Sequence, residues 1–98
     1  MIKYPLARPI LGEEEHRAIA QVLDSGHLVQ GPQVRRFEEA LAELTGRKHA
    51  VACSSGTAAL HIALSAMELP SEGEVIVPAF GYPATANAVE LVGLRTRF

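Results

Sequence analysis

The stretch CSSGTAAL, residues 53–60, places small and hydroxyl-bearing residues at the point where an apolar run changes to a helical pattern. Ser54, Ser55 and Thr57 carry hydroxyl donors, and Gly56 allows a close approach and a backbone torsion barred to other residues. Unpaired amides and the positive end of the helix dipole attract an anion at a helix start. The stretch therefore predicts a phosphate-binding corner.

A structural interpretation of the same stretch stays open. Ser54 or Ser55 would serve simply as an N-cap, and Gly56 would then only ease the turn. The stretch also lacks the GK[ST] ending of a triphosphate-binding loop and the G-x-G-x-x-G pattern of a dinucleotide site. These absences argue against a nucleoside triphosphate or a dinucleotide as the ligand.

A second corner, VPAFGYPATANAV at 77–89, follows the next predicted strand. Ligands of open α/β sheets bind at the carboxyl ends of the strands, so this corner is expected on the same edge as the first. Tyr82 stands here close to a helix start, with Phe80 as the other aromatic residue. A flat ring beside a phosphate cradle suits a ligand made of a phosphate and a planar ring. The alternative is that Tyr82 packs in the core with its hydroxyl hydrogen-bonded.

The remaining reactive residues indicate no catalytic group and no metal site. The four histidines share no close metal-ligand spacing. The two serines of the first corner have no identifiable base partner for a Ser–His–Asp arrangement. Cys53 is expected to be a small buried residue. The four histidines are His16, His27, His49 and His61.

The elements that position these corners follow from the rest of the pattern. The first half of the chain is predicted to form two helices after an extended opening at Pro5, Arg8 and Pro9. Three glutamates open the first helix, and Gly26 ends it. Pro32 opens the second helix, and Gly46 ends it. The apolar positions that recur at helical spacing are Ile19, Val22 and Leu23 in the first helix and Val34, Phe37, Leu41 and Leu44 in the second.

The second half predicts alternating strands and helices: a strand at 48–53, a helix at 57–67, a strand at 74–78 and a helix at 83–92. This order favours an α/β fold with a parallel sheet. A third strand is expected after Gly93, but LRTRF is less apolar than a strand buried on both faces. Two parallel strands alone leave open edges, so we expect the chain to be part of a larger unit.

Composition narrows the classes further. With 98 residues, 48% of them hydrophobic, the chain suits one packed domain or part of one. A net charge of −2 gives no support to a nucleic-acid partner. No apolar run approaches the roughly 20 residues of a membrane span, and the first residues lack a secretory pattern. A single cysteine cannot form an internal disulfide, so the cytoplasm is the expected compartment.

Three motifs in order, GP-x-V-x-x-FE, SSGTAAL and P-A-x-x-Y-x-A-T-x-N-A, make the chain resemble the start of the DegT/DnrJ/EryC1/StrS aminotransferases over about residues 5–94. The resemblance implies part of the large domain of a fold type I enzyme that uses pyridoxal 5′-phosphate (PLP). It divides the chain into a helical arm, 1–47, and a cofactor-cradling strand–helix–strand–helix unit, 48–98. It also implies a homodimer that acts on a nucleotide-linked keto-sugar with an amino donor.

The resemblance assigns roles to individual residues. The backbone and hydroxyl groups of Gly56, Thr57 and Ala58 would hold the cofactor phosphate, and Tyr82 would stack on the pyridine face. Thr85 and Asn87 would brace the helix start.

Some positions depart from the family pattern. His27 stands in the segment expected at the mouth of the active site, where an aromatic residue is usual, and Gly81 replaces a commoner threonine. Lys3 and Lys48 fall in no motif that the family uses for its Schiff-base lysine, which would lie beyond residue 98.

Three hypotheses follow. In the first, the chain is the N-terminal part of a PLP-dependent sugar aminotransferase and does not transaminate alone. In the second, it is an inactive remnant or an interaction module that keeps only the phosphate-binding corner. In the third, it is a small phosphate-binding α/β module unrelated to PLP.

Overall fold

The computed structural model describes residues 7–98, so Pro5 of the expected extended opening lies outside the described residues. The elements are, in chain order, helix α1 at Glu13–Ser25, helix α2 at Pro32–Thr45, helix α3 at Gly56–Ala66, strand β1 at Glu74–Ile76, helix α4 at Ala84–Leu91 and strand β2 at Arg95–Arg97. The chain divides into two compact units, one ending at Ala50 and the other spanning Val51–Phe98.

The first unit contains α1 and α2, whose ends are set by local chemistry. The Glu15 carboxylate accepts a hydrogen bond of 2.7 Å from the Gly12 amide, which closes the start of α1. Gly26 and Gly46 follow the two helices with φ of 69° and 64°, values that only glycine adopts readily. Pro32 opens α2 as predicted. The predicted bounds of both helices are confirmed.

The apolar faces of α1 and α2 are largely open. Neither helix contains a buried residue. The side chains of Ile19, Leu23 and Phe37 are each more than half exposed, and Leu44 is 83% exposed. The amphipathic pattern therefore correctly predicts helices but not a closed core within the described residues.

The second unit is built on two parallel strands joined through α4. β1 and β2 pair with Val75 opposite Thr96, and the Val77 amide extends the ladder with a 2.8 Å bond to the Arg97 carbonyl. One face of the sheet packs on α4, which in turn contacts α3. The core consists of Val77, Ala88, Val89 and Leu94, with Leu64, Val75, Ala86 and Val92 packed against it.

The predicted strand at 48–53 is wrong. This segment forms no ladder with any described strand, and Val51 is 72% exposed. An apolar run favours extended backbone, but a strand exists only where a neighbour supplies hydrogen bonds. Cys53 at its end is correspondingly half-buried rather than buried.

The strand expected after Gly93 does form. Its side chains alternate, with Thr96 half-buried and Arg95 and Arg97 exposed. The arginines lie close to carboxylates on the open face, Arg97 to Glu74 at 3.4 Å and Arg95 to Glu72 at 3.6 Å. Polar residues are tolerated in β2 because only one face of this sheet is covered within the described residues.

A search of the described part of the chain finds no helix with the length and apolar character that a membrane span needs.

Candidate phosphate and ring site

The start of α3 is capped by Ser55. Its backbone is extended, with φ −163° and ψ 164°, and its Oγ accepts a 3.1 Å hydrogen bond from the Ala58 amide. The carbonyl of the same residue accepts a 3.0 Å bond from the Ala59 amide. Of the two serines considered as an N-cap, Ser55 is therefore the one that caps this helix.

Two amides at this helix start remain available. Within residues 7–98, the amides of Gly56 and Thr57 and the Thr57 hydroxyl have no hydrogen-bond partner. These three donors lie in the first turn, where the helix dipole favours negative charge. All three could donate a hydrogen bond to an anion at this corner.

Gly56 leaves space above the helix start but does not adopt the special torsion expected from the sequence. Its φ is not positive, unlike that of the glycines that end the helices. A Cβ built at Gly56 would meet no atom within 4 Å. Open space, rather than backbone strain, is therefore what glycine provides here within this unit.

A groove of about 600 Å³, which we call the α3–α4 groove, joins the two predicted corners. Gly56 and Thr57 line it from α3, and Tyr82 lines it from the loop before α4. Tyr82 is 81% exposed, so its ring is not a core residue. Ala58, the fourth predicted site residue, does not line the groove. The full lining is Gly56, Thr57, Ala59, Leu60, Tyr82, Ala84 and Thr85.

The backbone at Tyr82 is held by the first turn of α4. Thr85 donates to the Tyr82 carbonyl through its hydroxyl at 3.3 Å and through its amide at 3.2 Å. The Asn87 amide donates to the Pro83 carbonyl at 2.9 Å. Thr85 thus braces the helix start with its side chain, while Asn87 takes part here through its backbone.

The α3–α4 groove offers neutral donors rather than charged ones. No lysine, arginine or carboxylate occurs among the described residues that line it. Attraction for an anion therefore comes from amides, one hydroxyl and the helix dipole, whose share is about 0.3–1 kcal/mol. The described lining of the groove offers hydrogen-bond donors and an aromatic ring and includes no carboxylate, histidine, lysine or arginine.

The sequence did not lead us to predict Ala59 and Leu60 among the residues that line the α3–α4 groove. Ala59 and Leu60 follow Gly56 by three and four positions, the spacing that brings residues onto one helix face. That periodicity could have identified both as neighbours of the phosphate corner.

The residues present fit PLP in two respects. The unpaired donors of Gly56 and Thr57 suit a phosphate group, and the exposed ring of Tyr82 stands on the same groove for a planar heterocycle. The combination of an anion corner with a flat aromatic surface in one groove is the arrangement that a ring phosphate requires.

The DegT/DnrJ/EryC1/StrS aminotransferase family profile matches residues 9–98, and the chain belongs to this family. The predicted family and the predicted fold type I class, as a partial unit, are both confirmed. The solved structures that this chain is similar to include a sugar dehydratase and an aminotransferase.

One is the Escherichia coli GDP-4-keto-6-deoxy-D-mannose-3-dehydratase with bound hydrated PLP, at 35% identity and a TM-score of 0.89; the match covers 98% of this chain and 26% of that one. A GDP-4-keto-6-deoxymannose-3-dehydratase with a trapped PLP-glutamate geminal diamine is 34% identical with a TM-score of 0.89, covering 96% and 26% of the two chains. The aminotransferase from Psychrobacter cryohalolentis is 32% identical with a TM-score of 0.84, covering 94% and 24%.

The chain therefore spans about a quarter of the length of these solved structures. PLP, the predicted cofactor, is present in two of them.

Proposed function

We propose that this chain supplies the phosphate cradle and the ring-stacking surface of a PLP-dependent enzyme that acts on a nucleotide-linked keto-sugar. The observation that carries the proposal is the α3–α4 groove, in which the unpaired donors of Gly56 and Thr57 and the exposed ring of Tyr82 stand together. Family membership and the PLP-containing similar structures support the choice of ligand.

The residues of this chain act by binding and orientation. The donors of Gly56 and Thr57 hold the phosphate, and the ring of Tyr82 fixes the plane of the heterocycle. When bound, PLP supplies an electron sink for bonds at the amine-bearing carbon. Holding both ends of the cofactor keeps the reacting atoms aligned, which is where such a scaffold contributes to rate.

The features of the α3–α4 groove do not distinguish amination from dehydration. Similar structures include an aminotransferase and two sugar 3-dehydratases. Both reactions require the same anchoring of a ring phosphate. We propose amination with an amino donor as the activity of the whole protein, since the family is one of aminotransferases.

Covalent attachment of the cofactor needs a side-chain amine, which the α3–α4 groove does not offer among its described lining residues. We therefore propose that the 98-residue chain binds the cofactor and does not transaminate alone, and that the complete enzyme is a cytoplasmic homodimer. Turnover of an amino donor by this chain alone would contradict the proposal.

The alternative, a phosphate-binding module indifferent to the ring, is tested by ligand competition. Pyridoxine 5′-phosphate, which has no aldehyde and cannot modify surface lysines, is titrated against the chain beside inorganic phosphate. We expect the ring-bearing ligand to bind about five- to ten-fold tighter, the worth of one stacked pair.

Tyr82→Ala should remove this advantage, and Tyr82→Phe, the matched control, should keep it. Equal binding of the two ligands, together with no effect of Tyr82→Ala on either, would contradict the ring-stacking role.

A further inference from the structure

The amides of the first four residues of α3 fall into two pairs, one with a hydrogen-bond acceptor and one without. Ser55 takes one pair, accepting from Ala59 with its carbonyl and from Ala58 with its Oγ. The other pair, Gly56 and Thr57, has no acceptor within residues 7–98. A single residue outside the helix therefore decides which amides an incoming ligand can use.

We propose that Ser55 is a positioning residue of the phosphate cradle, which withholds the Ala58 amide and presents those of Gly56 and Thr57. This inference rests on the proposed function, because it concerns how the same cradle grips the phosphate of the cofactor. It also departs from the role that the family resemblance implies for Ala58, whose amide is already engaged and which does not line the groove.

The geometry explains why the side chain can act in this way. The extended backbone of Ser55 directs its Oγ back over the first turn, to the 3.1 Å contact with the Ala58 amide. This contact holds the first turn in helical form, so the two remaining amides point out of the helix start in a fixed direction. The amides of Gly56 and Thr57 and the Thr57 hydroxyl remain open to a phosphate group at the start of α3.

Amide hydrogen exchange tests the division directly. The ¹⁵N-labelled chain is measured alone and saturated with pyridoxine 5′-phosphate, with unphosphorylated pyridoxine as the ligand control. We expect the Ala58 amide to be protected equally in the free and bound states. The amides of Gly56 and Thr57 should gain protection only with the phosphorylated ligand.

Variants at two serines, one at each end of α3, separate positioning from simple helix stability. Ser55→Ala removes the acceptor, and we expect about five-fold weaker binding of pyridoxine 5′-phosphate, the factor that corresponds to a lost N-cap. The Ala58 amide should then lose protection in the free chain and regain it on binding. Ser55→Thr, which retains an N-cap oxygen, should restore the original exchange pattern.

Ser65→Ala is the matched control, since it removes an exposed hydroxyl near the other end of α3 that makes no hydrogen bond in the described residues. It should leave affinity and exchange unchanged. Circular dichroism on each variant checks that the helix content is retained, and the exchange pattern of the unmodified chain remains decisive if Ser55→Ala fails to fold.

Failure of the role proposed for Ser55 and failure of the proposed phosphate cradle would give different results. Protection of Ala58 that rises on binding in the unmodified chain, beside that of Gly56 and Thr57, would overturn the role of Ser55 and leave the cradle intact. So would a Ser55→Ala affinity equal to that of Ser65→Ala. An absence of any response at Gly56 and Thr57 would overturn the cradle itself, and with it both the proposed function and this inference.

Discussion

The starts of α1 and α3 use the same backbone chemistry to different ends. At α1, Glu13, Glu14 and Glu15 occupy the first turn, and the carboxylate of Glu15 accepts from the Gly12 amide. At α3 the first turn carries no acidic residue, and the amides of Gly56 and Thr57 have no acceptor in the described part of the chain. The carboxylates in the first turn of α1 already supply the negative charge that a helix start favours, whereas the start of α3, without them, is suited to an anion from outside.

The largest expected effect comes from giving α3 the acidic first turn of α1. Thr57→Asp removes a hydroxyl donor and places a carboxylate against the ligand phosphate. We expect about hundred-fold weaker binding of pyridoxine 5′-phosphate, from a lost charge-assisted bond and like-charge repulsion. Helix content should be retained, because a carboxylate stabilises the first turn. Isothermal titration calorimetry and circular dichroism measure the two effects.

Ser65→Asp is the control for this variant, because it adds the same charge to the same helix near its other end. Its affinity should stay close to that of the unmodified chain. An equal loss of affinity in both variants would mean that net charge, and not the helix start, governs binding.

The next effect concerns the support beneath the groove. Val89, in α4, is 1% exposed and belongs to the core of the second unit. Val89→Ala leaves a cavity there and should lower the free energy of unfolding by about 2 kcal/mol. Leu44→Ala in α2, at a position 83% exposed, should change it by less than about 0.5 kcal/mol. Denaturant titration measures both, and equal losses would contradict the assignment of the core.

A smaller effect is expected at the brace of Tyr82. Thr85→Val removes the hydroxyl that donates to the Tyr82 carbonyl at 3.3 Å. Looser positioning of the ring should weaken the binding of pyridoxine 5′-phosphate by about three-fold, which corresponds to a weak neutral hydrogen bond. The affinity for inorganic phosphate should not change. Thr85→Ser is the control that keeps the hydroxyl. A loss of equal size for both ligands would show that Thr85 acts on the anion corner instead.

The smallest effect is the pH dependence of the α1 start. The hydrogen bond from the Gly12 amide holds the pKa of Glu15 below its ordinary value of 4.5. A carboxyl group with a lowered pKa stabilises the folded state fully above its unfolded pKa, and this contribution is lost as pH falls through the folded one. The protection factor of the Gly12 amide, which compares its exchange rate with that of an unstructured chain at the same pH, should therefore fall as the solution is acidified below pH 4.5.

Glu15→Gln, whose amide oxygen can also accept from Gly12, should lose this pH dependence and keep the cap. A Gly12 protection factor that falls equally with acid in both chains would contradict the assignment to Glu15.

How far the sequence could predict the molecule depends on the range of the interactions. Helix ends follow from nearby residues, so Pro32, Gly26 and Gly46 mark them correctly. Strands depend on distant partners, which explains why the apolar run at 48–53 forms no ladder while β2, with two arginines, does.

The site shows the same division. Gly56, Thr57 and Tyr82 line one groove, although the strand expected to lead into the first corner does not form. The engagement of the Ala58 amide could not be predicted, because it depends on which serine turns its side chain back over the helix. The spare volume above Gly56 is likewise set by the packing of the unit and not by its sequence neighbours.

The central claim is that one groove holds a phosphate at the start of α3 and a ring at Tyr82. Its most direct test is a set of intermolecular nuclear Overhauser effects in the chain saturated with pyridoxine 5′-phosphate. The account predicts that the pyridine protons lie within reach of the Tyr82 ring and that the methylene beside the phosphate lies near the amides of Gly56 and Thr57. Contacts of the ligand with the start of α2, at Gly31 and Pro32, and none with Tyr82 would contradict it.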